Sequence, residues 1–75
     1  MSAHQRRNLV MMANQIAIAF DGQRGDAVGQ TVAHIKAFWP RPMREDILRH
    51  LSAGGEGLTP TARAAVARLA PTPRT

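Results

Sequence analysis

Residues 34–60, HIKAFWPRPMREDILRHLSAGGEGLTP, carry most of the signals that divide this chain into helices. The stretch contains the only tryptophan and three of the five prolines. Pro40 disfavours helical backbone angles at the residue before it, so it ends one helix, and Pro42 suits the first position of the next. The glycine pair at 54–55 favours a helix end, and the Thr-Pro pair at 59–60 combines an N-cap with a first-turn proline. The stretch is therefore predicted to end one helix, contain a second and begin a third.

Apolar spacing predicts two helices on the N-terminal side. The first begins near Ser2, which has capping-box spacing to Gln5, and it ends at the Asp-Gly pair at 21–22. Its inward residues are predicted to be Leu9, Met12, Ala13, Ile16, Ala17 and Phe20. The second helix follows Asp26 as its N-cap, and its apolar arc consists of Val28, Val32, Ile35 and Trp39.

The two later helices complete a bundle. The third is predicted to bury Met43, Ile47 and Leu51, with Leu48 beside them, and the fourth to bury Ala62, Ala65, Val66 and Leu69. Nothing in the sequence alternates in the way that is typical of strands. The predicted fold is therefore all-α, a small orthogonal-type bundle of about four short helices that forms one domain over residues 1–69. Residues 70–75 are expected to be a flexible tail, disordered or held by a partner.

Composition limits the classes of function. A chain of 75 residues without cysteine has no room for an active-site cleft with its walls, and it offers no thiolate to zinc or an iron–sulfur cluster. Its apolar runs are far shorter than the ~20 residues of a membrane span, so we expect a soluble protein without a membrane partner. The net charge of +5 suggests nucleic acid, but the arginines are dispersed among five acids. Solvated arginines or a charged docking surface fit that distribution better.

No residue pattern indicates catalysis. His4, His34 and His50 lack metal-binding spacing and are expected to be surface or capping residues. Glu45 and Asp46 diverge on a helix, so they are predicted to stabilise its dipole from the first turn rather than act as an acid–base pair. The glycine-rich joint lacks a P-loop lysine and is predicted to be a C-cap and hinge. We therefore expect no catalytic, cofactor-binding or metal-binding residue in this chain.

The first helix carries a second apolar surface. Met11 and Ile18 are seven residues apart and lie roughly 180° from Leu9, Ile16 and Phe20 at about 100° per residue. If the larger set packs inward, these two side chains point outward. They then either cover a neighbouring loop, or remain exposed, or contact a partner protein.

The corner between the second and third helices contains the other candidate interface residues. Phe38 and Trp39 form either an aromatic pair in the core or an exposed anchor for a partner, and the corner can combine both roles. Arg41, Met43 and Arg44 follow on a segment stiffened by proline. Arg44 is expected either to reach solvent or to meet an acid or a backbone carbonyl of a partner.

Two stretches together resemble a known family. The chain resembles the small delta subunit of the soluble NAD-dependent molybdenum formate dehydrogenases in the order and spacing of four motifs. These are MANQIA within residues 9–17 and HIKAFW, HL and GGEGLTP within residues 34–60. The resemblance covers about two-thirds of the chain. It departs at residues 40–42, Pro-Arg-Pro, where the family has an acid after the tryptophan.

The resemblance implies a non-catalytic accessory subunit of a bacterial cytoplasmic complex that oxidises formate to carbon dioxide and reduces NAD. The partner would be the large catalytic subunit and its hetero-oligomeric complex. Larger subunits would hold the molybdenum bis-pterin cofactor, the iron–sulfur clusters, FMN and NAD, and this chain would support assembly, or insertion and retention of the molybdenum cofactor. The alternative is a small basic helical module that binds nucleic acid or a regulatory protein.

Overall fold

The computed structural model of the protein describes residues 3–70. This range contains no strand and four helices, α1 (Ala3–Asp21), α2 (Ala27–Phe38), α3 (Arg41–Ser52) and α4 (Pro60–Ala67). The predicted all-α fold with four short helices is therefore confirmed. The predicted capping residue Ser2 and all of the predicted tail after Ala70 lie outside the described residues. No helix between residues 3 and 70 is long and apolar enough to cross a membrane.

Local signals position three of the helix ends as predicted. The Asp26 side chain accepts a hydrogen bond from the Gly29 backbone N–H at 3.0 Å and so caps α2. The Thr59 hydroxyl accepts one from the Ala62 backbone N–H at 3.1 Å and caps α4. Trp39, at the end of α2, has φ −91° and ψ 128°, the extended angles that a following proline favours.

The α3 helix begins one residue earlier than predicted. Pro40 is its N-cap, with φ −64° and ψ 156°, so Arg41 is the first helical residue and Pro42 the second. Both first-turn positions tolerate proline, because the amide groups of the first turn have no partner within a helix. The one-residue shift does not change which face of the helix is buried.

The acids of α3 have a different role from the one predicted. Because the helix begins at Arg41, Glu45 and Asp46 lie beyond its first turn. Arg41 Nε donates to Glu45 Oε1 at 2.8 Å, and Arg49 Nη1 donates to Asp46 Oδ1 at 2.7 Å. The acids therefore stabilise the helix through ion pairs along its surface, each worth about 0.3–0.5 kcal/mol, rather than through the helix dipole.

Glycine closes the C-terminal end of α3, as predicted. The Gly55 N–H donates to the His50 carbonyl at 2.9 Å, and the Gly54 N–H donates to the Leu51 carbonyl at 3.0 Å. This is the hydrogen-bond pattern of a Schellman motif. Both glycines have positive φ, and a Cβ on Gly55 would lie 2.8 Å from Arg63 Nη1. Any other residue at this position would disturb the turn.

The core lies where the four helices meet. Its largest fully buried side chains are Ile35, Ile47, Val66 and Thr31. They are joined by Leu9, Val10, Ala13, Ala17, Trp39, Leu58 and Ala62. Sequence analysis missed Thr31 because an apolar pattern does not count threonine. Its hydroxyl donates to the Ala27 carbonyl at 2.7 Å, so the buried oxygen is satisfied within the helix.

The inward face of α1 differs from the predicted one. Val10 is buried, whereas Met12 is 39% exposed. Leu9, Ala13 and Ala17 are buried as predicted, so the buried face is rotated by roughly 45° from the predicted stripe, at 3.6 residues per turn. Ala13 and Ala17 are fully buried on this face, and their small side chains leave room for the neighbouring helices to approach. Met11 and Ile18 still point outward, as predicted, with 57% and 59% of their surface exposed.

Asn14 fastens the loop between α3 and α4 to α1. Its Nδ2 donates to the Gly57 carbonyl at 2.8 Å, and its Oδ1 accepts from the Thr59 N–H at 2.9 Å. His50 Nε2 supports the same loop, at 2.7 Å from the Glu56 carbonyl oxygen. The two Asn14 hydrogen bonds join positions 43 and 45 residues apart in sequence, so Asn14 contributes to tertiary structure rather than to its own helix.

We predict that Asn14→Ala lowers the free energy of unfolding by about 1–3 kcal/mol. The substitution leaves a carbonyl and an amide of the loop without partners, and such groups cost energy when they are shielded from water. Urea unfolding followed by circular dichroism measures the effect. Gln15→Ala, which removes an exposed amide from the same helix, is the matched control. Equal unfolding midpoints for the two variants would show that the loop does not depend on Asn14.

Candidate docking surface

Four large apolar side chains are exposed in the part of the chain that the structure describes. They are Met11, Met12, Ile18 and Phe38, and Phe38 is the most exposed at 71%. They lie on two separate surfaces. Met12 and Phe38 flank a groove formed by α1, α2 and α3. Met11 and Ile18 lie on the outer side of α1.

We call the first surface the Phe38 groove. Its volume is about 420 Å³, and its lining residues are Met12, Gln15, Ile16, His34, Phe38, Trp39 and Met43. Most of these side chains are apolar. Trp39 both lines the groove and belongs to the core, with 5% of its surface exposed. The groove is therefore continuous with the packed interior, which makes its wall rigid.

An aromatic row orients the exposed Phe38 ring. His34 precedes Phe38 by one helical turn, and their ring centroids are 4.6 Å apart with an interplanar angle of 39°. Phe20, at the end of α1, meets the other side of His34 edge-on at 6.3 Å. Because the row restricts the Phe38 ring before any partner binds, less entropy is lost when a partner covers it.

A basic corner lies where α2 meets α3, and it has no lining residue in common with the Phe38 groove. Arg44 Nη1 donates to the Lys36 carbonyl at 3.3 Å and so satisfies a backbone oxygen in the last turn of α2. Arg41 has 82% of its side chain exposed and pairs with Glu45. The Lys36 ammonium contacts no acid between residues 3 and 70. The corner therefore presents positive charge on a different side of α2 from the Phe38 groove.

The structure separates the predicted interface residues into three places. Phe38, Trp39 and Met43 line the groove, Arg41 and Arg44 form the basic corner, and Met11 and Ile18 lie on the outer side of α1.

Two of the earlier expectations for these residues need correction. Of the two aromatic residues, only Trp39 belongs to the core. Phe38 points outward from α2, while Thr31 and Ile35 point inward. Arg44 does meet a backbone carbonyl, but that carbonyl belongs to Lys36 of this chain rather than to a partner.

Sequence analysis missed Met12 and His34 as groove residues. Met12 was assigned to the core, and His34 was expected to be an ordinary surface or capping histidine. The four-residue spacing of His34 and Phe38 on one helix was a usable signal, because such pairs lie side by side. The exposure of Met12 had no local signal, since it results from the rotation of α1.

The side chains do not fit a metal or a cluster. No group of three or more histidine, cysteine, aspartate or glutamate residues within residues 3–70 is arranged to hold a metal ion. The whole sequence contains no cysteine, the residue that binds iron–sulfur clusters.

Comparison with protein families found one match. A family model described as "NADH-dependant formate dehydrogenase delta subunit FdsD" matches residues 8–66. The matched range includes all of α2 and α3, and hence both the Phe38 groove and the basic corner. Comparisons with curated proteins and with solved structures found no match.

Proposed function

Because the chain belongs to the FdsD family of NADH-dependent formate dehydrogenase delta subunits, we propose that it is a non-catalytic accessory subunit that docks through the Phe38 groove. Its partner is the large catalytic subunit of a cytoplasmic complex that oxidises formate to carbon dioxide and reduces NAD. The exposed Phe38 ring is the observation that carries this proposal. A ring of this size, held in place beside an apolar groove, suits burial against another protein.

The exposed apolar surface supplies part of the energy of a specific contact. Full burial of one large apolar side chain contributes about 1.5–3 kcal/mol, and both Phe38 and Met12 have apolar surface left to bury. Lys36 and Arg41 at the basic corner favour acidic groups on any partner that reaches that side of α2, because opposite charges steer association and restrict the wrong partners. The partner surface at the groove is expected to be an apolar knob or pocket.

The proposed role concerns the molybdenum cofactor of the partner. The bis-pterin cofactor, the iron–sulfur clusters, FMN and NAD belong to the larger subunits, whose residues supply their ligands. Docking of this chain stabilises the closed, cofactor-holding state of the catalytic subunit if the chain binds that state more tightly. A difference in affinity of about 1.4 kcal/mol changes the ratio of closed to open subunit tenfold. Insertion or retention of the cofactor is then supported without any contact between this chain and the metal.

We predict that the complex produced without this chain contains several-fold less molybdenum per catalytic subunit, with formate-dependent NAD reduction falling in proportion. The expected loss follows from the shift toward the open state. Metal analysis by mass spectrometry and the activity assay, on matched preparations with and without the chain, measure both quantities. Full molybdenum content together with full activity in the absence of the chain would refute the proposed role.

A further inference from the structure

The outer side of α1 carries a basic and apolar surface that is separate from the Phe38 groove. Arg7, Met11 and Ile18 follow one another along one stripe of the helix, facing away from the core. We call this set the α1 outer stripe. Beside it lies an open cavity of about 620 Å³ between α1 and the α3–α4 loop. Its lining residues are Arg6, Arg7, Val10, Met11, Asn14, His50, Glu56 and Gly57.

The two arginines at this cavity lack partners. Neither the Arg6 nor the Arg7 side chain makes an ion pair or hydrogen bond with any of residues 3–70. Arg6 Nε is also shielded from water without an acceptor. A buried donor left in this way is unfavourable, so a carboxylate placed nearby by a partner would be strongly favoured.

Apart from the Glu56 carboxylate, the remaining polar side chains of the cavity are already engaged. Asn14 binds the Gly57 carbonyl and the Thr59 amide, and His50 lies against the Glu56 carbonyl. These contacts form the wall of the cavity rather than a site for a ligand. The groups left to meet a ligand are therefore the two guanidinium groups, the Glu56 carboxylate and the exposed apolar surface of Met11.

We propose, building on the function proposed above, that the α1 outer stripe is a second docking surface for an acidic segment of a protein in the same complex. Its carboxylates pair with Arg6 and Arg7, and an apolar side chain of the segment packs on Met11. Charge complementarity carries this assignment. A nucleic acid fits less well, because the apolar side chains of Met11 and Ile18 offer nothing to phosphate. The subunit thus contacts its complex on two faces, which raises its overall affinity.

Binding of the labelled chain to the complex that lacks it tests the proposal. Arg7→Glu and Met11→Glu are each expected to weaken binding about tenfold or more, and the wild-type affinity should fall as salt is raised. The matched controls are Arg24→Glu and Ala67→Glu. The first reverses the charge of another exposed arginine, and the second adds a charge at an exposed position of α4. Circular dichroism verifies that each variant is folded. Because Arg7 is exposed, its variant keeps the test valid even if Met11→Glu unfolds.

A photo-crosslinker at position 11 identifies the occupant. The proposal predicts a crosslinked peptide of the complex that contains several aspartates or glutamates. Crosslinking to nucleic acid, or binding that is lost on nuclease treatment, would overturn it. If Arg7→Glu and Met11→Glu bind as tightly as the wild type while Phe38→Ala binds weakly, the proposal of a second docking surface alone is overturned. Failure of the wild-type chain to bind would overturn both this inference and the proposed function.

Discussion

Phe38→Ala is expected to weaken docking on the formate dehydrogenase complex by about 30- to 700-fold. Truncating an interface anchor costs about 2–4 kcal/mol, and each 1.4 kcal/mol corresponds to a factor of ten in affinity. Phe38 is suited to that role because it is 71% exposed in the isolated chain and is oriented by His34. Titration of the labelled chain into the complex that lacks it measures the dissociation constant.

The same variant should leave the fold almost unchanged. The Phe38 side chain contributes little to the core, and its ring contact with His34 is worth about 0.5–1.5 kcal/mol, so unfolding should change by no more than this. Arg24→Ala removes an exposed side chain from the loop after α1 and is the control for affinity. If Phe38→Ala and Arg24→Ala both bind as tightly as the wild type, Phe38 is not an anchor.

Ile35→Ala is expected to have the largest effect on stability. Ile35 is fully buried in the middle of the bundle, so its truncation removes apolar contacts and leaves a cavity. Such substitutions cost about 2–5 kcal/mol. A single core in a chain of this size supplies only about 3–5 kcal/mol of net stability, so the variant should be largely unfolded at 37 °C. Thermal melting followed by circular dichroism should show a fall in midpoint of roughly 10–30 °C.

The control for this prediction is Lys36→Ala on the same helix. Its side chain is exposed, so the free energy of unfolding should change by no more than about 0.5 kcal/mol. The melting midpoint should therefore shift only slightly. Addition of the complex should raise the midpoint of the wild-type chain, because a partner that binds the folded state stabilises it. An Ile35→Ala chain that melts at the wild-type temperature would contradict the packing described above.

The helix ends could be predicted from sequence because their causes are local. Asp26 and Thr59 cap through hydrogen bonds that span three residues, and Pro40 acts on its immediate neighbour. The glycines at 54–55 likewise close α3 within one turn. Signals of this kind depend little on the rest of the fold.

The inward face of α1 could not be predicted in the same way, whereas Ile35, Ile47 and Val66 are buried as predicted. Periodicity ranks residues by apolarity, so it favoured Met12 over Val10 and overlooked Thr31. Packing instead selected the face of α1 on which Ala13 and Ala17 allow close approach. This rotation exposed Met12 and completed the Phe38 groove. The position of the groove is therefore a tertiary property, although the outward direction of Met11 and Ile18 was predicted correctly.

Long-range polar contacts were also beyond sequence analysis. Asn14 binds groups 43 and 45 residues away, and no spacing rule connects residues so far apart. Arg44 was expected to reach solvent or to meet an acid or a backbone carbonyl of a partner, whereas it donates to the Lys36 carbonyl of its own chain.

Photo-crosslinking from position 38 in the assembled complex tests the central claim most directly. A photoreactive phenylalanine replaces Phe38, the complex is purified by a tag on this chain, and the crosslinked peptides are identified by mass spectrometry. Docking through the Phe38 groove predicts a dominant crosslink to the large catalytic subunit, at an apolar segment. Incorporation of the chain without a crosslink from position 38, or with crosslinks only to other subunits, would contradict it.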